Sequence, residues 1–411
     1  MTTLPRGNCT GCSACASVCE RATITMKEDA EGFLCPVINE EVCTDCGLCQ
    51  RICPVLPRKW LPSRPETPAI YAAWHHDPEV RRQSSSGGVF TALAVDVLNH
   101  AGVVFGAGFD GHVNVCHKAV FEAECLEELR GSKYVQSSIG DTFSQAKKLL
   151  KTGRQVLFSG TPCQIAGLYS FLGHDCDNLV TCDFICHGVP SPKLFRKYME
   201  YLEQKYLSKP RKVSFRDKRR GWTYLIAIEF YNGQEVVRRF TADPYYTAFL
   251  KNICLRRCCH ECDFKGLPRV ADVTLADFWG IGARHPELDD NKGTSLVLVN
   301  SDKGKGIYEC CHRELFSHEC PFDYIEGNVC LMGSVRPHPH RQKFFADLSS
   351  EPFEVLVKRH MTFPSIPRRA MCKAWRAVAK ILDRGRLQSG CVMSNKGIGK
   401  VERGSVNWHR K

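Results

Sequence analysis

Eight cysteines near the N-terminus fall into two runs with identical spacing. Both runs read C-x2-C-x2-C-x3-C and start 34 residues apart. Their members are Cys9, Cys12, Cys15, Cys19, Cys43, Cys46, Cys49 and Cys53. In such a run the first three thiolates bind one 4Fe–4S cluster and the fourth binds the neighbouring cluster. The spacing therefore predicts two iron–sulfur clusters, which pass electrons one at a time.

Crossed ligation assigns each cluster its own ligands. The first cluster takes Cys9, Cys12, Cys15 and Cys53, and the second takes Cys43, Cys46, Cys49 and Cys19. Zinc is the alternative, but structural zinc sites usually combine paired C-x2-C units across a longer loop.

Two residues near the runs depart from this pattern. Glu20 stands where Pro54 follows the second run. Cys35 has no partner at ligand spacing, so it is interpreted as a small buried residue.

A second set of cysteines lies farther along the chain. Cys163 and Cys186 each follow an apolar strand-like segment, where α/β folds assemble their sites, and Cys259 and Cys262 form a C-x2-C pair. From spacing alone these four thiols fit a third 4Fe–4S cluster, a zinc site or buried unligated cysteines. The nearby Cys254 and Cys258 leave the choice of ligands open.

Three further segments carry polar groups suited to anions. The sequence SSSGG at residues 84–88 precedes a helix and predicts either a phosphate cradle or capping by Ser86. RGSKY at residues 130–134 offers a glycine turn with two cations. RDKRRGW at residues 216–222 is interpreted either as a grip for an anionic substrate or as a solvated loop. His75, His76, His338 and His340 are expected at the surface.

Apolar periodicity and turn residues predict a mixed α/β arrangement after residue 68. Helices are expected from about residue 89 to Gly102, from Asp141 to about Gly153, from Ser191 onward, and at residues 369–382. Strands are expected at residues 103–105, 155–158, 179–185, 273–275 and 296–299. Residues 224–231 and 235–241 are expected to pair as a hairpin around Asn232 and Gly233.

Charge and cysteine content narrow the class of protein. The chain of 411 residues has a net charge of +12, and residues 336–411 contain 17 Lys and Arg against 5 Asp and Glu. The most apolar stretch, residues 89–109, is interrupted by polar residues, so no membrane span or signal peptide is expected. Twenty-five cysteines without a secretion signal predict metal ligation in a reducing, cytoplasmic setting.

The basic C-terminus is interpreted as a docking segment for an acidic redox partner, ferredoxin or anionic membrane surface. It contains no nucleic-acid-binding motif, so no nucleic-acid partner is expected.

The motifs, taken in order, resemble the family of coenzyme F420 hydrogenase/dehydrogenase beta subunits. The resemblance rests on the two-cluster bacterial ferredoxin module followed by SSSGGVFTAL (84–93), RGSKYVQS (130–137), GTPCQIAGL (160–168), DFICHGVPSP (183–192), CHECDFKG (259–266) and VTLADFWGI (273–281). It covers about residues 1–330. Cys258 replaces an expected Ser, and Ala276 replaces a usual Gly. The CHGVPSP form resembles the bacterial branch.

The resemblance implies FAD and a third 4Fe–4S cluster beside it. The implied flavin contacts are Ser86, Gly87, Gly88, Ser132, Lys133, Tyr134 and Thr161. The implied ligands of the third cluster are Cys163, Cys186, Cys259 and Cys262. Lys133 is the candidate catalytic residue, stabilising the anionic reduced flavin.

These inferences give one functional hypothesis and one alternative. The first is a flavin-dependent iron–sulfur oxidoreductase that exchanges hydride with F420-like deazaflavin or another organic substrate. The alternative is a non-catalytic electron-transfer subunit that serves a partner enzyme, such as one of bacterial polysaccharide biosynthesis.

The expected fold class is α+β, with a small ferredoxin-type module before a larger mixed α/β flavin-binding region. The expected divisions are a ferredoxin domain (1–56), a Pro-rich linker (57–68), an N-terminal-type flavin-binding domain (69–145), a C-terminal-type domain with flavin and the third cluster (146–330), and a basic extension (331–411).

Overall fold

Helices and strands alternate along most of the chain, which confirms the mixed class. The structure is a computed structural model that describes residues 4–5, 7–57, 59–111, 113–326 and 328–361. These residues belong to one compact unit, Met1–Thr362. The second unit, Phe363–Lys411, lies outside the described residues, as does the helix expected at residues 369–382.

Thirteen strands lie in the described part of the chain. They are β1 Ile24–Glu28, β2 Leu34–Ile38, β3 Ala69–His75, β4 Val103–Phe109, β5 Val115–Val120, β6 Val156–Ser159, β7 Leu179–Phe184, β8 Pro210–Ser214, β9 Leu225–Phe230, β10 Glu235–Arg239, β11 Val273–Asp277, β12 Ser295–Val299 and β13 Leu315–Glu319.

Twelve α-helices accompany these strands within the same described residues. They are α1 Ala14–Val18, α2 Leu48–Arg51, α3 Pro78–Gln83, α4 Val89–Asn99, α5 Thr142–Lys151, α6 Pro162–Leu172, α7 Pro192–Tyr206, α8 Pro244–Leu250, α9 Asp302–Cys310, α10 Val329–Met332, α11 Arg341–Ser350 and α12 Phe353–Leu356. None of the described helices is long and apolar enough to cross a membrane.

One eight-stranded sheet organises the larger part of the molecule, in the order β13-β3-β12-β11-β7-β6-β4-β5. The four neighbours β4, β6, β7 and β11 are parallel, and antiparallel strands flank them. Because parallel strands end at a common edge, the residues that follow β6, β7 and β11 lie close together there. The expected division at residues 145 and 146 falls within this sheet, because strands from both sides contribute to it.

Local sequence signals explain where the expected elements begin. Ser191 caps α7 by accepting a hydrogen bond from the Leu194 amide, and a proline follows it at the first helical position. Strands β9 and β10 pair antiparallel on either side of Asn232 and Gly233, as predicted. Strand β8 completes this three-stranded sheet.

The ferredoxin-type module packs directly on the larger region. Strands β1 and β2 form its hairpin, and Phe33 is buried in a core cluster that also contains residues of α7 and α8. The Pro-rich segment also lies against this region, because Arg64 forms an ion pair of 2.8 Å with buried Asp272 and a hydrogen bond of 2.8 Å to Tyr169. Helices α11 and α12 pack into the same core as Phe33, so the first part of the expected basic extension is folded.

Candidate functional site

The two cysteine runs fold as a structural repeat. In the first run Gly11 and Ser13 have positive φ angles of 71° and 63°. Their counterparts 34 residues later, Asp45 and Gly47, have φ angles of 55° and 70°. The left-handed residues Ser13 and Gly47 precede α1 and α2 respectively. The backbone therefore turns in the same way around each set of three cysteines.

A cavity gathers the ligands expected for the first cluster. Cys9, Cys12 and Cys15 line it together with Cys53 from the second run. Crossed ligation requires this meeting of three cysteines from one run with the fourth from the other. Burial raises the pKa of the Cys12 thiol to about 11, so the bare thiolate is disfavoured and iron binding must displace the proton.

The second run presents its cysteines nearer to solvent. Cys49 is buried, Cys43 is half-buried and Cys46 is exposed. Burial is the main cause of the raised pKa of Cys49, and the charges of Cys46 and Cys43 add to it, so these thiols are neighbours. Cys19 packs against the small apolar cluster that contains Cys15 and Cys49, as a crossed fourth ligand requires.

A second cavity gathers the later cysteines at the carboxyl edge of the large sheet. Cys163 follows β6, Cys186 follows β7, and residues 257–261 form a short 3-10 helix that carries Cys258 and Cys259. The cavity is lined by Cys163, Cys186, Cys258, Cys259 and Cys262. We call it the inner cysteine cavity. Cys254 is fully buried in a separate apolar core, whereas Cys258 contributes a fifth thiol to the cavity.

Buried thiols and cations share the inner cysteine cavity. Burial raises the pKa of Cys186 to about 11 and also raises the pKa of Cys163. Three cationic side chains, Arg256, Lys265 and Arg269, line the same cavity. Lys265 donates to the carbonyl oxygens of Cys186 and Cys330. These cations offset the negative charge that several thiolates bring into a buried site.

The thiol-rich linings fit iron–sulfur clusters, since thiolates are the ligands these clusters use. No group of three or more His, Cys, Asp or Glu side chains in the described ranges is placed to hold a single metal ion. The described cysteines are all free thiols. Each cavity therefore supplies at least four cysteines without breaking a disulfide.

The glycine-rich loop at residues 84–88 makes internal contacts. Helix α4 starts at Val89 with Gly88 in the capping position and no side-chain cap, so capping by Ser86 is wrong. The Ser86 hydroxyl donates instead to the Thr294 carbonyl, and the Gly87 amide donates to the Ser295 hydroxyl. A Cβ on Gly87 would lie 2.3 Å from the Ala73 carbonyl oxygen, so the glycine allows the loop to pack against β3.

The loop at residues 130–134 is joined to this glycine-rich loop. The amide and hydroxyl of Ser132 each lie 2.8 Å from the Ser85 hydroxyl. The Lys133 ammonium donates to the carbonyls of Glu128 and Arg130 at 3.1 and 2.9 Å, and burial lowers the pKa of this lysine to about 7. The two segments expected to contact flavin thus adjoin each other beside the uncapped end of α4.

Thr161 is the remaining residue expected to contact flavin. It caps α6 in a capping box with Gln164, and its hydroxyl lies 3.1 Å from the Cys163 sulfur. Thr161 therefore lines the inner cysteine cavity.

The cationic segment 216–222 is a solvated loop only in part, because Arg219 and Arg220 are exposed whereas Arg216 and Trp222 are buried. Arg216 forms an ion pair of 2.6 Å with Asp277, at the end of β11, and donates to the Tyr134 hydroxyl. The Trp222 ring stacks on Trp279 with centroids 4.2 Å apart, and Trp279 is 46% exposed. Sequence reasoning missed Trp279, although it follows the aspartate of the ADFWG segment.

Two smaller expectations also fail. His75 is buried and accepts a hydrogen bond from the Asp77 amide, because it ends β3, an inner strand of the large sheet. Cys35 is only half-buried, and its sulfur accepts a hydrogen bond from Arg256 at 3.2 Å.

Two family matches coincide with the two cysteine-lined regions. Residues 8–56 match the 4Fe-4S dicluster domain, and residues 153–321 match the domain described as the C terminus of the coenzyme F420 hydrogenase/dehydrogenase beta subunit. Residues 153–321 are thus similar to the C-terminal domain of F420 hydrogenase/dehydrogenase beta subunits, and we call them the beta-subunit domain. The matches confirm the family resemblance read from the motifs.

Two Methanosarcina proteins are also similar to this chain. The F subunit of the F(420)H(2) dehydrogenase of Methanosarcina mazei is 22% identical over 358 residues, which cover 84% of this chain and 94% of that protein. A chain of the F420-reducing NiFe hydrogenase complex of Methanosarcina barkeri is 16% identical, with a TM-score of 0.44 over 72% of this chain and 94% of that chain.

The matched ranges divide the candidate residues unequally. The two runs lie within the dicluster domain, and Thr161 and the cysteines of the inner cavity lie within the beta-subunit domain. The candidate flavin residues from Ser86 to Tyr134 lie between the two matched ranges. The family matches therefore support an iron–sulfur electron-transfer oxidoreductase subunit.

Proposed function

We propose that this chain is an FAD-dependent iron–sulfur oxidoreductase subunit that works in a reducing, cytoplasmic setting. Its substrate class is a hydride donor or acceptor, either an F420-like deazaflavin or another organic molecule. The observation that carries the proposal is the adjacency of two cysteine-lined cavities, which share Thr10 in their linings. Sites placed in this way form a route for single electrons.

The donor sets assign the metal ligands of the proposal. Cys9, Cys12, Cys15 and Cys53 would hold the first cluster, and Cys43, Cys46, Cys49 and Cys19 the second. Cys163, Cys186, Cys259 and Cys262 would hold the third, with Cys258 as the additional thiol in that lining.

The flavin would bind between the glycine-rich loop and the loop at residues 130–134. Backbone amides at the uncapped end of α4 favour phosphate groups, and Ser86, Gly87 and Gly88 shape this end of the helix. Ser132, Lys133 and Tyr134 would flank the cofactor, and Thr161 would face it from the inner cysteine cavity. When bound, FAD supplies the conversion between two-electron hydride exchange and one-electron transfer.

The chain positions these groups through one connecting segment. Residues 132–137 run from the Ser85 contact to Gln136, which lines the inner cysteine cavity. Lys133 holds a proton beside the proposed flavin loop, and its lowered pKa allows its charge to change near neutral pH. If FAD binds here, the Lys133 ammonium would stabilise negative charge on the reduced flavin ring.

Anaerobic purification with analysis of iron, sulfide, zinc and flavin tests the proposal. We expect FAD and about twelve iron atoms per chain, whereas about eight would indicate the ferredoxin pair alone. Zinc in place of iron, or a protein that binds no flavin after reconstitution with FAD, would contradict the proposal.

Exposure of Cys46 favours a second candidate, a subunit that only delivers electrons to a partner enzyme. One assay distinguishes the two candidate functions. The purified chain loaded with FAD is mixed with a reduced deazaflavin and an artificial electron acceptor. Substrate-dependent reduction without any partner supports catalysis by this chain, and reduction only after a partner is added supports the electron-delivery role.

A further inference from the structure

The inner cysteine cavity and the first-run cavity share a wall built from both parts of the molecule. Thr10 lines both cavities, and Arg256 and Gln136 line the inner one. Thr10 belongs to the first cysteine run, whereas the other two belong to the larger region. We call the contact of these three residues the cavity junction.

Arg256 directs its guanidinium into the ferredoxin-type module. It donates to the Cys9 carbonyl at 2.8 Å and to the Leu34 carbonyl at 3.0 Å. It also donates to Gln136 at 3.1 Å and to the Cys35 sulfur at 3.2 Å. The side chain is buried, with 4% exposure. The planar guanidinium donates several hydrogen bonds in fixed directions, so it sets both the distance and the orientation of its partners, which the single ammonium of lysine does not.

Gln136 and Gly11 close the junction. The Gln136 amide donates to the Thr10 carbonyl at 3.0 Å. A Cβ on Gly11 would lie 2.8 Å from the Gln136 amide nitrogen and 3.0 Å from an Arg256 nitrogen. The loop from Cys9 to Cys12 is therefore held by contacts that leave no space for a side chain at Gly11.

Helix α6 brings the two cavities together on its own surface. Cys163 stands at its start, and Gly167 lies one turn later, about 6 Å along the helix axis. A Cβ on Gly167 would lie 3.0 Å from the Cys12 sulfur. Residues four apart lie on the same face of a helix. Cys163, which lines the inner cysteine cavity, and Cys12, which contacts Gly167 and lines the first-run cavity, therefore meet along one face of α6.

We propose that Arg256 is a positioning residue that fixes the first cysteine run against the inner cysteine cavity, so that electrons pass between these two sites. One electron leaves the inner site, which is oxidised, and enters the first-run site, which is reduced. The second run, whose Cys46 is exposed, is then the exit toward a redox partner. This inference rests on the proposed function, since that function supplies the inner site and its electrons.

Arg256→Gln, Arg256→Lys and Arg341→Gln test the inference in the full-length holoprotein. Arg341 is the matched control, because it also joins the two parts by donating to Glu31 and to the Leu255 carbonyl, but it lines neither cavity. The measurements are iron content, midpoint potentials and the magnetic interaction between reduced clusters in electron paramagnetic resonance spectra.

Arg256→Gln is expected to retain its iron, to weaken the interaction between the inner and first-run clusters, and to lower the first-run potential. The potential falls because loss of a nearby positive charge disfavours the reduced, more negative form. Arg256→Lys keeps the positive charge but loses the planar guanidinium. It should therefore weaken the magnetic interaction between the inner and first-run clusters while preserving the first-run midpoint potential. Arg341→Gln should change neither quantity.

Wild-type interaction in Arg256→Lys would overturn the inference, even if Arg256→Gln fails to fold. Equal effects of Arg256→Gln and Arg341→Gln would also overturn it, because they would reflect general loosening of the module. Failure of the proposed function has a different signature. The wild-type protein would then contain only about eight iron atoms and show no inner-cluster signal.

Discussion

Replacing Gly167 by Ala tests whether α6 carries the first cysteine run. Gly167 lies inside the helix and is buried, and its missing side chain leaves room for Cys12. An added Cβ would lie 2.9 Å from the Cys12 Cβ and 3.0 Å from its sulfur. Because Cys12 is a proposed ligand, displacing it affects both folding and iron binding.

Two opposing contributions determine how far Gly167→Ala changes the free energy of unfolding. Gly to Ala in a helix interior stabilises by about 1 kcal/mol through helix propensity. Overpacking of a filled site costs about 1–3 kcal/mol. The net expectation for Gly167→Ala lies between about zero and 2 kcal/mol of destabilisation.

Gly306→Ala is the matched control for this substitution. Gly306 lies inside α9, and a Cβ placed there meets nothing within 4 Å. It should therefore show the propensity gain of about 1 kcal/mol without the packing cost. The two variants are expected to differ by about 1–3 kcal/mol, which is the packing contribution alone.

Anaerobic thermal unfolding and iron analysis measure the two consequences. Gly306→Ala should unfold at a higher temperature than the wild type and keep all its iron. Gly167→Ala should unfold at a lower temperature than Gly306→Ala and lose iron from the first-run cluster. If Gly167→Ala is as stable as Gly306→Ala and keeps its full iron content, the contact between Cys12 and α6 does not constrain the site.

Three further predictions address charge. Asp277→Asn leaves the buried Arg216 unpaired and should cost about 3–5 kcal/mol in urea unfolding, whereas Asp217→Asn, at a more exposed pair, should cost about 0–1 kcal/mol. Burial lowers the pKa of Lys133 to about 7, below its unfolded value of about 10.4, so the unfolded chain binds more protons between these values. Wild-type stability should therefore rise with pH through that window, and urea midpoints of Lys133→Met should show a smaller rise. Deletion of residues 384–411 should slow reduction of an acidic partner at low salt and leave flavin and iron content unchanged, and equal kinetics at low salt would exclude docking by this segment.

Local signals predicted the elements that carry the inner cysteines. An apolar strand followed by a turn places Cys163 after β6 and Cys186 after β7, and the parallel pairing of these strands brings both residues to one edge. The ferredoxin spacing predicted that Cys53 joins the first run, where the structure places it. These parts follow from interactions between residues close in sequence or from a fixed ligand pattern.

The cavity junction could not be predicted in this way. Arg256 and Cys9 are 247 residues apart, and neither carries a local pattern that points to the other. One signal was present in the sequence. A glycine inside a helix costs about 1 kcal/mol, so Gly167 indicated a close neighbour without identifying Cys12.

The glycine-rich loop shows how one pattern fits two purposes. Close approach of backbone to phosphate and close approach of backbone to backbone both require glycine. At Gly87 the structure shows the second, because the Ala73 carbonyl occupies the place of the side chain. Any anion bound here would therefore depend on the free end of α4 rather than on Gly87 itself.

The expected linker and the observed docking lead to different electron-transfer behaviour. A module held only by a tether would sample many distances, and electron tunnelling weakens steeply as distance grows. Here Phe33 is buried in the core of the larger region, and Arg64 forms an ion pair with Asp272. Arg256 donates a hydrogen bond to the Cys9 carbonyl in the first cysteine run. These contacts fix one separation between the two cysteine cavities.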